Sequence, residues 1–498
     1  MGIVKKQVYK NTIVSYAGMA FGFINLIFLY PHFMTTEQIG LFLLLISLSV
    51  LYSLIASMGV PSIILRYFPF FRSEDKTHNG FLYWVGGFAL VGFVTSTLVF
   101  YLLKPVIVAS FIKKAALFVD YYYYLVPLAF FTIFFNLLEA FGKAILQSVY
   151  SSFLKEVLLR LLTTVALVML AFHWISFQQF IVIYILLNGL ICLLLAVSLA
   201  ISGKFSYKRG NRSSVGVTNK AIINFGLFTL LSSTVYVLLQ NVDRYMLSAM
   251  AGLAVQGVYG IYSGIAIVIN VPQQALSRTT YQIVAESWAT KDLKRIDDIY
   301  AKTSIIQMVV GCLLFACILI NKDNLLAILH KKEFSDQYNV LIVICLGFLV
   351  DITGGLNTYI ITTSHKYRLI TILVIIWSIF CVVLTYLLIP PYGGMGAAMA
   401  YLVTITGINF CTWFYLKYRF KMQPFNYKHL IVIGITIASY LAGRYFWKVN
   451  NLYIDAFVRT SLTAVIYLSL SYAFRVSADL NEKIDNTLKR IKIKSIIH

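Results

Sequence analysis

Seven side chains in this 498-residue chain stand where chemistry is to be expected, because each sets a charge or an amide among apolar residues. Asp351 lies near the centre of the apolar run from Tyr338 to Ile361. A carboxyl group there costs about 2.5 to 3.5 kcal/mol on insertion scales, so it must face water, an ion or a hydrogen-bonding partner. It reads either as a proton or sodium site or as a hydrogen bond between helices. Arg66, a few residues past Gly59 and Pro61, and Arg160 each offer a planar fork of donors suited to phosphate oxygens. Arg66 could equally snorkel to the membrane edge, and Arg160 could pair with Glu156 four residues before it. Asp243 and Arg244, adjacent at the end of an apolar run, read as a gate contact or as a solvated turn. Glu139 and Asn25 complete the set, one solvated or pathway-facing, the other paired across helices or pathway-facing.

Other chemistries have no residues to perform them. There is no phosphate-binding Gly-x-x-x-x-Gly-Lys-Ser/Thr loop. The six cysteines all lie in apolar runs without metal spacing, and the seven histidines show none either, so no metal or other cofactor is expected. The longest polar connections hold only some twenty to thirty residues, which leaves little room for an enzyme outside the bilayer. Tyr121 to Tyr124, Trp174 and Trp447 read as an interfacial aromatic belt.

The elements that position these residues follow from composition. The chain is 60% hydrophobic and 12% charged, where a soluble domain carries roughly 25% charged residues. A bilayer core about 30 Å thick takes roughly 20 apolar residues per helix. Fourteen such spans are predicted, at 11–30, 39–65, 80–103, 122–141, 157–172, 177–201, 221–239, 255–275, 303–320, 338–361, 369–389, 395–416, 429–447 and 455–474. Continuous runs exclude a β-barrel, whose strands alternate over about ten residues. The first span is too long for a signal peptide and is taken as retained.

With the N-terminus placed inside, 31 Lys and Arg fall on the cytoplasmic side and 10 outside, which orients the chain with both termini cytoplasmic. The net charge of +22 is then an anchor on anionic membrane lipids and does not indicate nucleic-acid binding. The segment from Arg278 to Tyr300 reads as an amphipathic helix on the cytoplasmic membrane surface. Many spans with short loops describe a transporter, a class often built from repeated bundles. Gln38-Ile39-Gly40-Leu41-Phe42 opens the second span and Val255-Gln256-Gly257-Val258-Tyr259 the eighth, a short internal echo. The predicted fold is therefore an all-α membrane protein with an N-terminal lobe (1–210), a C-terminal lobe (211–420), two extra spans (421–476) and a basic tail (477–498).

Three stretches carry a family resemblance. They are Leu29-Tyr30-Pro31 and Thr35 to Gly40 with Met58-Gly59-Val60 and Arg66-Tyr67-Phe68-Pro69; Asp243-Arg244-Tyr245-Met246-Leu247 with Gly257-Val258-Tyr259 and Val271-Pro272; and Asn357 to Ile360 with Ser364 to Arg368 and Ile389 to Ala398. Together they resemble the Wzx-type polysaccharide flippases of the multidrug/oligosaccharidyl-lipid/polysaccharide exporter superfamily. The resemblance implies two six-helix lobes around a central cavity and a place in the bacterial cytoplasmic membrane. It implies as substrate a lipid-linked oligosaccharide on undecaprenyl diphosphate, made and used by glycosyltransferases and a polymerase of the same pathway, in lipopolysaccharide O-antigen or similar biosynthesis. A drug antiporter of the same superfamily would share the bundles but more often stops at twelve spans. A membrane polysaccharide polymerase would need a large outer loop, which is missing.

Overall fold

Every predicted apolar stretch is helical in the computed structural model, those at 39–65 and 338–361 each divided between two helices; it describes residues 2–73, 78–202, 218–446, 448–482 and 485. The helices that carry the argument are α1 (Gly2–Ile24), α2 (Thr36–Ala56), α3 (Val60–Phe71), α4 (Phe81–Leu102), α5 (Leu125–Ala144), α6 (Leu159–Ala171), α7 (Phe177–Ile201), α8 (Asn219–Met250) and α9 (Leu253–Ala266). They continue with α10 (Val271–Ala289), α11 (Leu293–Ile320), α12 (Tyr338–Thr353), α13 (Asn357–Thr363), α14 (Arg368–Tyr392), α15 (Gly394–Phe420), α16 (Tyr427–Arg444) and α17 (Leu452–Ala473). The described residues contain no strand. The basic loop 203–217, Trp447, the Arg278 side chain and most of the basic tail lie outside the described residues.

Among the described residues ten helices are long and apolar enough to cross a bilayer, and eleven if α12 and α13, bent by 46° at their junction, form one span. The remaining predicted spans lie on α6, α8 and α16. An interruption shortens α6, charged residues stand at both ends of α16, and of α8 the described apolar part is Asn219–Leu231.

Local signals explain the helix ends. Thr35 caps α2 by accepting from the Gln38 N–H while Gln38 returns to the Thr35 N–H, and Ser176 with Gln179 does the same for α7. Gly59 lies at φ 77° between α2 and α3, a backbone that only glycine adopts freely. The first and fifth spans are each interrupted by a π-helical turn, Asn25–Leu29 and Leu154–Leu158. Such turns widen a helix locally and often mark functional sites.

The chain divides into two compact units, 1–260 and 261–498. The expected lobe boundary at 210 differs from this division, because α8 packs along α2 and α3 and so joins the first unit. Unit 1 has an aromatic-rich core in which Phe68, Phe71, Phe81 and Phe141 are fully enclosed. Unit 2 has smaller cores, one around Val284, Ile296, Tyr300, Leu356 and Ile360, another around Met308, Val432 and Tyr467.

The segment 278–300 is not a single surface helix. It turns at Lys291 (φ 58°), where Asp292 caps the next helix through the Arg295 N–H. Its apolar face instead packs on α13: Val284, Ile296 and Tyr300 are buried there, and Trp288 Nε1 donates to the Ile360 carbonyl at 3.0 Å.

Candidate functional site

In unit 2, Asp351 sits two residues before the end of α12, where the span breaks. Asn270, ending the 3₁₀ turn Ile267–Asn270, donates through Nδ2 to Asp351 Oδ2 at 3.4 Å, and Asn409 on α15 donates to Oδ1 at 3.3 Å. The network continues inward, because Asn357 Nδ2 donates to Asn409 Oδ1 at 2.7 Å and to Thr412 Oγ1 at 2.9 Å. Asn357, Asn409 and Thr412 are all buried. The carboxylate is thus held by two amides, which meets its partner requirement within the bilayer. The Oδ1 of Asn270 is buried without a hydrogen-bond partner. Turning that amide over would present an acceptor to Asp351 in place of a donor, so the pair can face either a carboxylate or a carboxylic acid.

The backbone around the break is shaped for this network. A side chain on Gly354 would meet Asn409 Oδ1 at 2.1 Å and Asn357 Nδ2 at 2.9 Å. Gly355, at φ 66°, lets the chain turn over Ser304. Ser304 Oγ donates to the Thr353 carbonyl at 2.8 Å, and His429 at the start of α16 lies 3.1 Å from the same hydroxyl. The other ring nitrogen, Nδ1, meets the Asn426 N–H at 3.2 Å and the Asn426 Oδ1 at 3.1 Å. The first of the two extra C-terminal helices therefore begins with a contact to the broken span.

Unit 1 holds the other six predicted residues, in four separate places. Arg160 pairs with Glu156 at 2.7 Å and also donates to the Gly18 carbonyl. Gly22 leaves the space, since a side chain there would lie 2.5 Å from Arg160 Nη1. Asn25, in the first π turn and 2% exposed, donates to the Arg160 carbonyl at 3.1 Å and accepts from Thr164 Oγ1 at 2.7 Å. Spans one and five are thus bound through their irregular turns. Glu139 is neutralised by Lys143 at 3.0 Å on its own helix.

Arg66 is exposed and has no carboxylate partner among the described residues. Its guanidinium lies 4.3 Å above the Phe225 ring, a stacking that leaves its outer donors available. Asp243 and Arg244 do not begin a connection, since α8 runs on through both to Met250. The helix continues because partners meet these charges: Tyr259 donates to Asp243 Oδ2 at 2.6 Å, and Arg244 Nη1 reaches Ser47 Oγ on α2 at 3.4 Å.

The two halves of the internal echo meet within unit 1. A side chain on Gly40 would lie 1.9 Å from the Leu253 carbonyl, and one on Gly257 would lie 2.1 Å from the Thr36 carbonyl. The start of α2 and the start of α9 therefore cross in backbone contact that only glycine permits at both positions. No group of three or more His, Cys, Asp or Glu that could hold a metal occurs among the described residues.

Sequence reasoning missed Asn270, Asn409, Ser304 and His429 as partners of the broken span. The available signals were Pro272 just after Asn270 and the glycine pair just after Asp351, both marks of an interrupted helix.

The comparisons bear on this geometry. The structure of a lipid II flippase, MurJ, in an inward closed conformation aligns over 93% of this chain and 98% of its own, with a TM-score of 0.71 at 13% identity. An inward-facing MATE multidrug-resistance transporter of the MOP superfamily aligns over 81% of this chain and 94% of its own, with a TM-score of 0.64 at 14% identity. A MOP-superfamily transporter from Pyrococcus furiosus covers 84% and 96%, with a TM-score of 0.58 at 15% identity. No protein-family model matches the chain, and no curated protein sequence does. The fold is that of the transporters and flippases of this superfamily.

Proposed function

We propose that this protein is a flippase that carries undecaprenyl-diphosphate-linked oligosaccharide repeat units across the bacterial cytoplasmic membrane by alternating access, in the service of a surface polysaccharide such as O-antigen. The supporting observation is the reach of the fold. The lipid II flippase matches 93% of the chain, whereas the inward-facing and outward-facing multidrug-resistance transporter structures match 81% and 84%. A drug antiporter leaves more of the chain without a counterpart.

The physical need is clear. Removing one unpaired hydroxyl from water costs about 2 to 7 kcal/mol depending on the reference state, so a sugar head group needs a hydrated path while its lipid tail stays in the bilayer. Arg66, stacked on Phe225 and unpaired by any carboxylate among the described residues, is the proposed diphosphate contact. Arg160 is a weaker one, since Glu156 already holds it. Asp351 is the proposed site of the coupling proton or sodium ion, because it sits at a broken span beside the Asn270 amide, which can turn to suit either charge state. The chain is proposed to act as a transporter and not as an enzyme, in fourteen spans with both termini cytoplasmic and alongside the pathway's glycosyltransferases and polymerase.

The test is leaflet-resolved labelling of the lipid-linked sugar in cells with and without the protein, no substitute flippase being present. Loss of outer-leaflet label on deletion is the expected result. Equal outer-leaflet label in both strains overturns the reading, and export of a labelled drug by proteoliposomes without glycan movement replaces it with the antiporter.

A further inference from the structure

A groove on the lipid-facing side of α14 and α15 has no part in the transport argument. The two helices are joined by a tight turn, where Gly393 has φ 53° and a side chain on Gly396 would lie 2.1 Å from the Leu388 carbonyl. Midway, Trp377 seats on Gly407, whose side chain would meet the indole at 2.0 Å. Toward the other end the helices leave an elongated apolar groove of about 390 Å³, walled by Leu369 and Leu373 on one side and Phe410, Phe414 and Tyr418 on the other, with Arg419 at its mouth. Phe410, Phe414 and Tyr418 are 57%, 47% and 74% exposed, so the groove opens outward.

The mouth is strongly cationic. The stretches 364–373 and 409–423 contain Lys366, Arg368, Lys417, Arg419 and Lys421 and no Asp or Glu. The carboxylate of Asp297 on neighbouring α11 accepts from the Gln423 backbone N–H, and no ion pair engages Arg368, Lys417 or Arg419 among the described residues. Lys417 rests 4.9 Å over the Trp413 ring, and Arg368 lies 5.9 Å from the Tyr367 ring. An apolar groove that ends in unpaired cations at the membrane edge is complementary to one class of molecule: a lipid whose chain is apolar and whose head group is anionic. The charge asymmetry places this end on the cytoplasmic side.

We propose that the groove is a binding site for an anionic phospholipid of the cytoplasmic leaflet, with one acyl chain between α14 and α15 and its phosphate on Arg419. The site is separate from Asp351 and from Arg66 and does not depend on the cargo.

The purified full-length protein is titrated with phosphatidylglycerol and with phosphatidylcholine, and retained lipid is counted by native mass spectrometry. Phosphatidylglycerol should be retained in preference to phosphatidylcholine. Arg419→Gln should lower its retention about fivefold while leaving phosphatidylcholine unchanged, and Lys417→Gln, whose ammonium rests on the Trp413 ring, should lower it less. Leu373→Trp, which fills the groove, should lower retention of both lipids. All three side chains border the lipid-facing surface, and a thermal unfolding curve for each variant confirms that the fold is kept. Equal retention of the two lipids by the wild type overturns the proposal, as does undiminished phosphatidylglycerol retention in the charge and groove variants. Displacement by inorganic phosphate at no more than the lipid's own concentration also overturns it, because the acyl chain would then contribute nothing.

Discussion

At the scale of single residues, the decisive contrast is between charges that the fold has already satisfied and those it has left able to act. Glu139 and Arg160 have ion-pair partners four residues away, an arrangement that steadies a helix by a few tenths of a kcal/mol. Asp351 has only neutral amides, and a neutral partner does not cancel its charge. Asp351→Asn keeps the shape and removes the charge. It should reduce gradient-driven transport at least about tenfold, a loss of about 1.4 kcal/mol of coupling, with no drop in membrane abundance. The measurement is transport under an imposed proton or sodium gradient, and wild-type rates with unchanged gradient dependence would exclude an ion role. Arg66 differs again, since its cation stacks on Phe225 and lacks a carboxylate among the described residues. Arg66→Ala should impair transport more than Arg66→Lys, because diphosphate recognition needs a cation and only partly a fork. Full activity in Arg66→Ala would return this residue to a membrane-edge anchor.

At the scale of elements, irregular backbone marks the places where helices carry polar contacts. The π turns of the first and fifth spans bring Asn25 and Arg160 together, and the break between α12 and α13 opens room for the amide network. Gly354 is the residue on which that room depends. Gly354→Ala places a methyl group where Asn409 Oδ1 lies, and overpacking of this kind costs about 1 to 3 kcal/mol. Thermal unfolding should shift downward, with loss of transport. Gly434→Ala, where a side chain would meet nothing within 4 Å, should leave both unchanged. Equal behaviour of the two variants would show that the break is not tightly packed.

At the scale of the whole molecule, the proposed orientation rests on the sum of weak positional preferences. The count of 31 cations against 10 predicts that reporter fusions at His498 and within the loop 203–217 read as cytoplasmic. A periplasmic signal at either position would contradict fourteen crossings with both ends inside. The division into units 1–260 and 261–498 also belongs to this scale, since α8 is assigned by what it packs against and not by the polar loop before it.

The sequence by itself determined the all-helical membrane class and the places of the apolar helices, because hydrophobic length and charge asymmetry are local, additive quantities that a bilayer reads directly. It also marked Asp351 as a residue in need of partners, since the cost of a buried carboxyl group does not depend on the fold. Only the tertiary structure decided what those partners are. Asn270 and Asn409, which bond Asp351, come from different elements, as do Asn357 and Ser304 around them, and an asparagine or serine in an apolar run carries no sign of which neighbour it will meet. The tertiary structure likewise carried α8 through Asp243 and Arg244, because a helix continues past charged residues once Tyr259 and Ser47 have satisfied them. It split the expected surface helix at Lys291 for a related reason: the apolar face that looked suited to lipid had α13 to pack against.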